Sequence, residues 1–260
     1  MFHGILKLAV GGTEMAKEFT RQHEVVYYEC DRTGSMTIPM LISIAIRISE
    51  EQSDQLNRGT DFIQSFGVTW ILTNYHVTIS RLPQVGETVS VTTKAQEYNK
   101  YFCYRTFWFY DEAGNELVKI ESVFALMDIH TRKMSRVTEE IIAPFESEKI
   151  SKIRRFGQLT KLDKEKPYTQ LPYRVRFYDI DSNQHVNNAI YFNWILDALG
   201  YDFLNQHQPK SITIRYEKEV SYGNQIDSLV QIDETTICSR HLIQVGDDRC
   251  CEAEIEWQKK

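Results

Sequence analysis

The sequence predicts an α+β fold made of two similar units in tandem, each with a long helix packed on an antiparallel β-sheet. One observation behind this prediction is that a single helical pattern precedes a series of strand-like segments, and that this order occurs twice. The second observation is a short repeat at an offset of 150 residues. Tyr-Glu-Cys-Asp at 28–31 corresponds to Tyr-Asp-Ile-Asp at 178–181, and an apolar helical pattern follows both.

The first unit begins with a predicted helix at about 38–56. Its apolar residues recur at intervals of three and four, as one face of an α-helix requires: Met40, Leu41, Ile44, Ala45 and Ile48. Segments rich in β-branched and aromatic residues then predict four antiparallel strands, at 68–80, 87–98, 101–111 and 116–129. Pro83, Gly86 and Gly114 lie between these segments, where tight turns need such residues.

The second unit follows a charged stretch at 146–166 that contains little strand signal. A strand is predicted at 173–181 and a helix at 187–200, and four further strand-like segments complete the unit. The chain therefore divides into an N-terminal unit (1–145), a charged linker (146–166) and a C-terminal unit (167–260). A linker of this length is expected to cross the outside of the molecule from one unit to the other.

Composition excludes several classes of protein. The chain has 260 residues, 42% hydrophobic and 25% charged, and its net charge of −6 disfavours nucleic-acid binding, which needs a basic surface. No apolar run approaches the roughly 18 residues that cross a bilayer. The N-terminal stretch lacks the basic region of a leader, so we expect a cytoplasmic protein without a membrane segment. Five cysteines without a C-x-x-C pair and seven scattered histidines predict reduced thiols, no metal site and no cofactor.

A carboxylate, an amide and an imidazole occupy alternate positions directly before the second helix: Asp181, Asn183 and His185. Alternate side chains of an extended segment point the same way, so these three groups are expected to converge. The helix start supplies unpaired backbone N–H groups that suit an oxyanion, and the candidates are those of Val186, Asn187 and Asn188. In the alternative, purely structural interpretation, the carboxylate and the amide cap the turn and the imidazole lies at the surface.

The string D-x-D-x-N-Q-H-V-N-N-x-x-Y-x-x-W-I-L at 179–196 resembles the signature of the acyl-acyl-carrier-protein thioesterases. Further segments that are similar to that family lie at 30–33, 67–70, 81–86 and 169–216, so the resemblance extends over most of the chain. It implies a double hotdog fold, in which an antiparallel sheet wraps a long helix twice in one chain. This fold agrees with the repeat found from the residues themselves.

The resemblance also implies a fourth catalytic residue. In that family a Glu from a T-x-x-Y-x-x-E pattern joins the Asp, Asn and His, and the segment 213–219 matches this pattern with Glu219. Plant members often carry Cys after that Glu, whereas this chain has Val220, so a cysteine nucleophile is excluded at this position. Strict alternation along a strand would place Glu219 on the solvent-facing side, unless a bulge near Glu217 or a cleft between the units redirects it.

These residues predict hydrolysis of a fatty acyl thioester. A carboxylate, Glu219 as first choice and Asp181 as second, is expected to take a proton from the attacking water. His185 and Asn183 are expected to orient the water, the carbonyl or the departing sulfur. Direct attack by a carboxylate through an anhydride stays open as a variant.

The resemblance further implies binding regions for an acyl chain and for acyl carrier protein, which is acidic. An apolar tunnel is expected in the first unit, from residues that are equally compatible with plain core: Met40, Ile44, Ile48 and Trp70. The linker carries seven Lys or Arg against four Asp or Glu, which suits it to steer an acidic partner. The docking candidates are Lys152, Arg154 and Arg155.

Other functions are compatible with these patterns. Hotdog folds also house acyl-coenzyme A thioesterases and hydratases, and a third alternative is a non-catalytic module that binds acyl thioesters. A monomer is feasible because both units belong to one chain, and a homodimer through sheet edges is the alternative.

Overall fold

The structure, a computed structural model, describes residues 16–156, 159–182 and 184–260. Residues 1–15, on which the expectation of no leader rests, and the predicted site residue Asn183 lie outside the described residues. The strands in the described part are β1 (Glu18–Glu24), β2 (Val68–Ile79), β3 (Thr88–Tyr98), β4 (Phe102–Tyr110), β5 (Glu116–Asp128), β6 (Met134–Ser135), β7 (Glu148–Lys149), β8 (Thr169–Arg174), β9 (His207–Tyr216), β10 (Gln225–Asp233), β11 (Cys238–Val245) and β12 (Asp248–Lys259). The helices are α1 (Ile38–Gln55), α2 (Thr60–Gln64), α3 (Glu139–Ile142), α4 (Asn188–Asp197) and α5 (Tyr201–Gln206).

The strands of the described residues form one sheet with a repeated order. Its main path runs β1-β3-β4-β5-β2-β9-β12-β11-β10-β8, and β6 and β7 pair with β5 and β3. Matching β1–β5 to β8–β12 shows that the second half has the order of the first in reverse. The predicted α+β architecture with two similar units is therefore confirmed.

The two halves of the sheet join where β2 pairs with β9. The pairing is antiparallel and extends from Asn74 opposite Arg215 to Thr78 opposite Ser211. Strand β5 lies on the other side of β2, and β12 lies on the other side of β9. Strands β5 and β9 both run antiparallel to β2, so their C-terminal ends lie on the same side of the sheet. Residues that follow these two ends can therefore meet, although they come from different units.

Helices α1 and α4 contact each other and share one hydrophobic core with strands of both units. Helix α1 begins after Thr37, whose hydroxyl accepts a hydrogen bond from the Met40 N–H, and Pro39 occupies its first turn. Its buried face includes Leu41, Ala45 and Ile48, as the spacing predicts. Among the helices of the described ranges, none combines the length and apolar character that crossing a membrane requires.

Some elements differ from the prediction. The predicted strand at 173–181 ends at Arg174, and a 3₁₀ turn follows at Phe177–Asp179. The buried carboxylate of Asp179 accepts hydrogen bonds from the backbone N–H and the guanidinium of Arg176, which closes the turn. Strand β1 was not predicted, because its alternating residues are only half-buried on one face.

The segment 146–166 lies against both units. Strand β7 pairs in parallel with β3, and the N–H of Arg154 donates to the Tyr104 hydroxyl. Farther along, the N–H of Thr160 donates to Glu254 and the N–H of Asp163 donates to Gln231, both in the C-terminal unit. The charged segment thus contacts strands of each unit in turn.

The loops before α1 and α4 repeat one backbone hydrogen-bond pattern at an offset of 150 residues. In the first loop the N–H of Asp31 donates to the Ser35 carbonyl, and in the second the N–H of Asp181 donates to the His185 carbonyl. The bond from Gly34 N–H to Asp31 likewise corresponds to the bond from Gln184 N–H to Asp181. Gly34 and Gln184 share a positive φ, at 79° and 66°, although a side chain strains this conformation.

The shared positive φ predicts opposite responses to substitution. Gly34→Ala should lower the free energy of unfolding by about 1 kcal/mol, because a side chain is strained in the left-handed region. The added Cβ would meet Val85 only at an ordinary contact distance of 3.5 Å, so backbone strain is the expected cause. Gln184→Gly should not lower it. Urea unfolding measures both values, and equal losses in the two variants would contradict the shared loop geometry.

Candidate active site

His185, in the loop before α4, and Glu219, which follows β9, form a hydrogen-bonded pair. Nδ1 of His185 lies 3.0 Å from Oε1 of Glu219. A carboxylate only accepts hydrogen bonds, so Nδ1 carries the proton and Nε2 of the neutral ring presents a lone pair. Within the described residues Nε2 has no hydrogen-bond partner, and the His185 side chain is partly exposed. The ring can therefore accept a proton at Nε2 while Glu219 holds Nδ1.

Glu219 reaches His185 because strand alternation ends before it. Strand β9 stops at Tyr216, and the N–H groups of Glu217 and Lys218 both donate to the carbonyl of Cys250, at 2.8 and 3.2 Å. Two successive N–H groups on one acceptor bend the chain, so the rule that would expose Glu219 no longer applies. This bend explains how Glu219 can face His185, although strand alternation alone would turn its side chain toward solvent.

Arg132 is a third member of this cluster, and it comes from the N-terminal unit. Its guanidinium forms an ion pair with Oε2 of Glu219, while Oε1 of the same carboxylate binds His185. Sequence reasoning missed Arg132 because it precedes Glu219 by 87 residues and lies in a turn outside the motif. No spacing pattern connects the two positions.

These contacts change the pKa values of both Glu219 and His185. The hydrogen bond from His185, supported by Arg132, lowers the pKa of the Glu219 carboxyl against the opposing effect of burial. The hydrogen bond to Glu219 raises the pKa of His185, although burial and Arg132 oppose that rise. Glu219 is therefore ionised at neutral pH, and the pKa of His185 lies above the ordinary value of histidine.

The three predicted backbone donors, Val186, Asn187 and Asn188, differ in whether their N–H groups already have an acceptor. The side chain of Asn187 caps α4 by accepting from the Ala189 N–H at 2.9 Å, and its own N–H donates to the Asp179 carbonyl. Asn187 thus has a structural role here. In the described part of the chain, the N–H groups of Val186 and Asn188 have no acceptor, as the oxyanion hypothesis requires.

Asp181 stands at the beginning of the same loop. Its Oδ1 accepts weakly from the His185 N–H at 3.4 Å, and its backbone N–H donates to the His185 carbonyl at 2.8 Å. The side chain also lines a cavity, so Asp181 borders both the motif and the space beside it. Asn183, the predicted amide of the set, is outside the described residues.

A cavity of about 610 Å³ connects the motif to the N-terminal unit. The motif contributes Asp181, Ser182, Asn187 and Asn188 to its wall. Helix α1 and strands β2, β4 and β5 contribute apolar side chains that include Ile42, Ile46, Trp70, Leu72, Cys103 and Phe124. A volume of this size suits a small-molecule site.

The candidate acyl-binding residues separate into two groups. Trp70 lines the cavity, as the sequence indicates. Met40, Ile44 and Ile48 are not among the described residues that line the cavity, and they belong to the main core or pack against it. Helix α1 instead presents Ile42 and Ile46 to this space. A face buried in a core and a face lining a cavity are both apolar, so periodicity alone does not distinguish them.

The cavity wall is not purely apolar. Arg105 is buried in it and donates to Gln52 Oε1 at 2.6 Å and to Thr93 Oγ1 at 3.0 Å. Burial lowers the pKa of Arg105 to about 10, so the guanidinium stays charged at neutral pH. Burial, Asp54 and Asp181 raise the pKa of Glu50, which also lines the wall.

The three docking candidates also differ. Arg154 forms ion pairs with Glu97 at 3.0 Å and Glu121 at 3.3 Å, so its charge is compensated within the protein. Lys152 and Arg155 are exposed and form no ion pair with the described residues. They are the better candidates for contact with an acidic partner.

The cysteines are mostly buried, and burial affects the reactivity of their thiols. All five cysteines are free of disulfides, and four of them are buried. Burial raises the pKa of the Cys103 thiol to about 12, which disfavours the nucleophilic thiolate. Within the described ranges, no three His, Cys, Asp or Glu side chains are arranged to hold a metal ion.

Three known proteins are similar to this chain. A protein from Lactobacillus plantarum with a provisional assignment as oleoyl thioesterase is 40% identical, with a TM-score of 0.92 over 95% of this chain and 98% of that chain. The 12:0-ACP thioesterase from Umbellularia californica is 22% identical and supports the fold, with a TM-score of 0.84 over 97% of this chain and 100% of that chain. A dodecanoyl-[acyl-carrier-protein] hydrolase from Cinnamomum camphora is 28% identical over 74% of this chain. This chain spans 53% of the length of that hydrolase.

Family models match both units. The acyl-ACP thioesterase N-terminal domain matches residues 16–145, and the C-terminal domain of the same family matches residues 162–259. These matches agree with the two halves of the sheet. The expected double hotdog fold is confirmed, and the chain belongs to the acyl-ACP thioesterase family.

Proposed function

We propose that this protein hydrolyses fatty acyl-acyl-carrier-protein thioesters to free fatty acid and holo-carrier protein. The observation that carries this proposal is the 3.0 Å pair of His185 and Glu219, because the loop that contains His185 also borders the cavity. Membership of the family supports the reaction class. His185 and Glu219 are not among the described residues that line the cavity, but Asp181 and Asn187 of the same loop are, so the pair lies next to a space that can hold an acyl chain.

In the proposed reaction, Nε2 of His185 accepts a proton from water as the water oxygen attacks the thioester carbonyl. A tetrahedral oxyanion forms, and the C–S bond then breaks to release the carrier thiolate, which takes up a proton. Glu219 holds the ring by Nδ1 and stabilises its positive charge. This division of roles differs from the sequence-based first choice of Glu219 as base, because both of its oxygens already have partners and its pKa is lowered.

The remaining motif residues are assigned supporting roles. The N–H groups of Val186 and Asn188 stabilise the oxyanion at the start of α4, where the helix dipole is positive. Asn183 orients the water or the carbonyl, as the family resemblance suggests. Asp181 lines the cavity and is the second candidate base.

The acyl chain is proposed to occupy the cavity beside Trp70 and Cys103. Lys152 and Arg155 are proposed to contact the acidic carrier, since their charges are exposed and uncompensated by described residues. Electrostatic attraction of this kind weakens with salt.

Thiol release from a panel of acyl-carrier-protein and acyl-coenzyme A thioesters tests the proposed function. Acyl-carrier-protein substrates should be hydrolysed with the larger kcat/KM, and added salt should reduce that value more than the value for acyl-coenzyme A. His185→Ala should lower kcat by about 10²- to 10⁴-fold, the usual contribution of a general base. Asn205→Ala, an exchange on α5 outside the motif, is the control and should retain activity.

Two outcomes would favour other functions, and a third would contradict the assigned base. A preference for acyl-coenzyme A would indicate the coenzyme A thioesterase, and binding without release would indicate a non-catalytic module. Release that is unaffected by His185→Ala would contradict the assigned base.

The pH dependence tests the role of Glu219. In the wild type, kcat/KM should fall as the pH drops through the raised pKa of His185, because only the neutral ring accepts a proton. Glu219→Gln removes the interaction that raises this pKa, so the acidic limb should move to lower pH. The plateau kcat should also decrease by about 10- to 100-fold, the value of a hydrogen bond to a charged group. An unchanged limb would contradict the orienting role.

Cavity volume should control the preferred chain length. Cys103→Phe places a larger side chain in the wall, so long substrates should lose kcat/KM by about fourfold for each methylene excluded, or about 0.8 kcal/mol. Cys103→Ser keeps the size of the side chain and is the matched control. Competition assays with acyl chains of graded length measure the preference, and an unchanged profile in Cys103→Phe would place the acyl chain elsewhere.

A further inference from the structure

We propose that Arg132, from the N-terminal unit, is a positioning residue that fixes the Glu219 carboxylate so that its other oxygen faces His185. The inference rests on the proposed function. It assigns to the N-terminal unit a part in the chemistry besides binding of the acyl chain.

The two oxygens of Glu219 have one partner each. Oε2 pairs with the Arg132 guanidinium, and Oε1 lies 3.0 Å from Nδ1 of His185. The Glu219 side chain is 46% exposed and follows the end of β9, so strand packing does not hold it. A glutamate with this exposure would otherwise sample several rotamers. The contact with Arg132 selects the rotamer in which His185 is bound.

Arg132 is itself held by a closed turn at the end of β5. Oδ1 of Asp128 accepts from the N–H groups of His130 and Thr131 and from the Thr131 hydroxyl. The N–H of Arg132 donates to the Asp128 carbonyl at 3.0 Å, and Arg132 adopts a positive φ of 57°. A non-glycine residue in this conformation is uncommon and is found where surrounding bonds hold it.

The pairing is specific to Arg132. Among the carboxylates of the described residues, only Glu219 lies within ion-pair distance of its guanidinium. Lys133, the next residue, is also exposed and forms no ion pair with the described part of the chain. If the site needed only positive charge at this surface, Arg132 and Lys133 would serve equally well. A positioning role requires Arg132 and not Lys133.

Arg132→Gln, compared with Lys133→Gln, tests the inference on the full chain. Each variant removes one positive charge from the same turn, so any effect on carrier docking should be similar. Arg132→Gln should reduce the plateau kcat about tenfold with little change in KM, because the lost contact orients a charged group. Lys133→Gln should retain the wild-type kcat, and Arg132→Lys should recover part of the loss.

A double-mutant cycle separates a role through Glu219 from an independent one. In the Glu219→Gln background, adding Arg132→Gln should cause little further loss of the plateau kcat, because the carboxylate that Arg132 positions is already absent. Single-turnover measurements give this rate if steady-state turnover is too slow. An equal loss in both backgrounds would contradict the inference.

The pH profile gives a second readout. The charged groups that face His185 are Glu219, Arg132 and Asp181, and Arg132 lowers the pKa of the ring by charge repulsion. If Arg132 positions Glu219, Arg132→Gln should nevertheless move the acidic limb of kcat/KM to lower pH, in the direction expected for Glu219→Gln, because the hydrogen bond to Glu219 is the largest cause of the raised His185 pKa. A shift to higher pH would show that Arg132 acts on His185 only as a charge, and it would contradict the inference. Lys133→Gln should leave the limb in place.

The outcomes separate this inference from the proposed function. If Arg132→Gln matches Lys133→Gln while His185→Ala abolishes turnover, the positioning role fails and hydrolysis stands. If Arg132→Gln raises KM for acyl carrier protein alone and leaves kcat unchanged, the residue docks the carrier and the inference fails. If wild-type protein releases no thiol from any substrate, the proposed function itself fails.

Discussion

The pairing of β2 with β9 is the constraint on which the rest of the structure depends. It joins two repeated halves into one sheet, and antiparallel hydrogen bonds fix its register. Glu219 follows the end of β9, and Arg132 follows the end of β5, the neighbour of β2 on its other side. A change of register at this junction would separate the carboxylate from the guanidinium that binds it. The cluster around His185 is therefore a property of the joined sheet rather than of either unit.

Duplication gives the two units one loop geometry but different chemistry. The first loop has Asp31 and Ser35 at positions where the second has Asp181 and His185, with the same backbone bonds in both. Only the second copy carries an imidazole at this position. The first copy stands before α1, whose residues contribute to the wall of the cavity. One unit thus provides the proposed base, while the other provides most of the cavity wall and the cation that binds Glu219.

The fold class and the motif were predictable because their signals are local. Periodicity identifies α1, and the offset of 150 residues identifies the second unit. The orientation of Glu219 was not predictable from alternation, since two N–H groups bonded to the Cys250 carbonyl bend the chain after Tyr216. Arg132 was missed because its link to the site exists only in three dimensions. Sequence alone did not separate the residues of α1 that line the cavity from those that lie in the core, because a core and a cavity wall select the same apolar residues.

The central claim is that neutral His185 carries its proton on Nδ1, bonded to Glu219, and leaves Nε2 free to accept a proton from water. Nitrogen-15 NMR of the labelled histidine ring across a pH titration tests this claim most directly, with Glu219→Gln as reference. The account predicts the Nδ1–H tautomer at high pH and a ring pKa above the ordinary value of about 6.5, lost in the variant. A ring protonated on Nε2, or a pKa that is the same with and without Glu219, would contradict it.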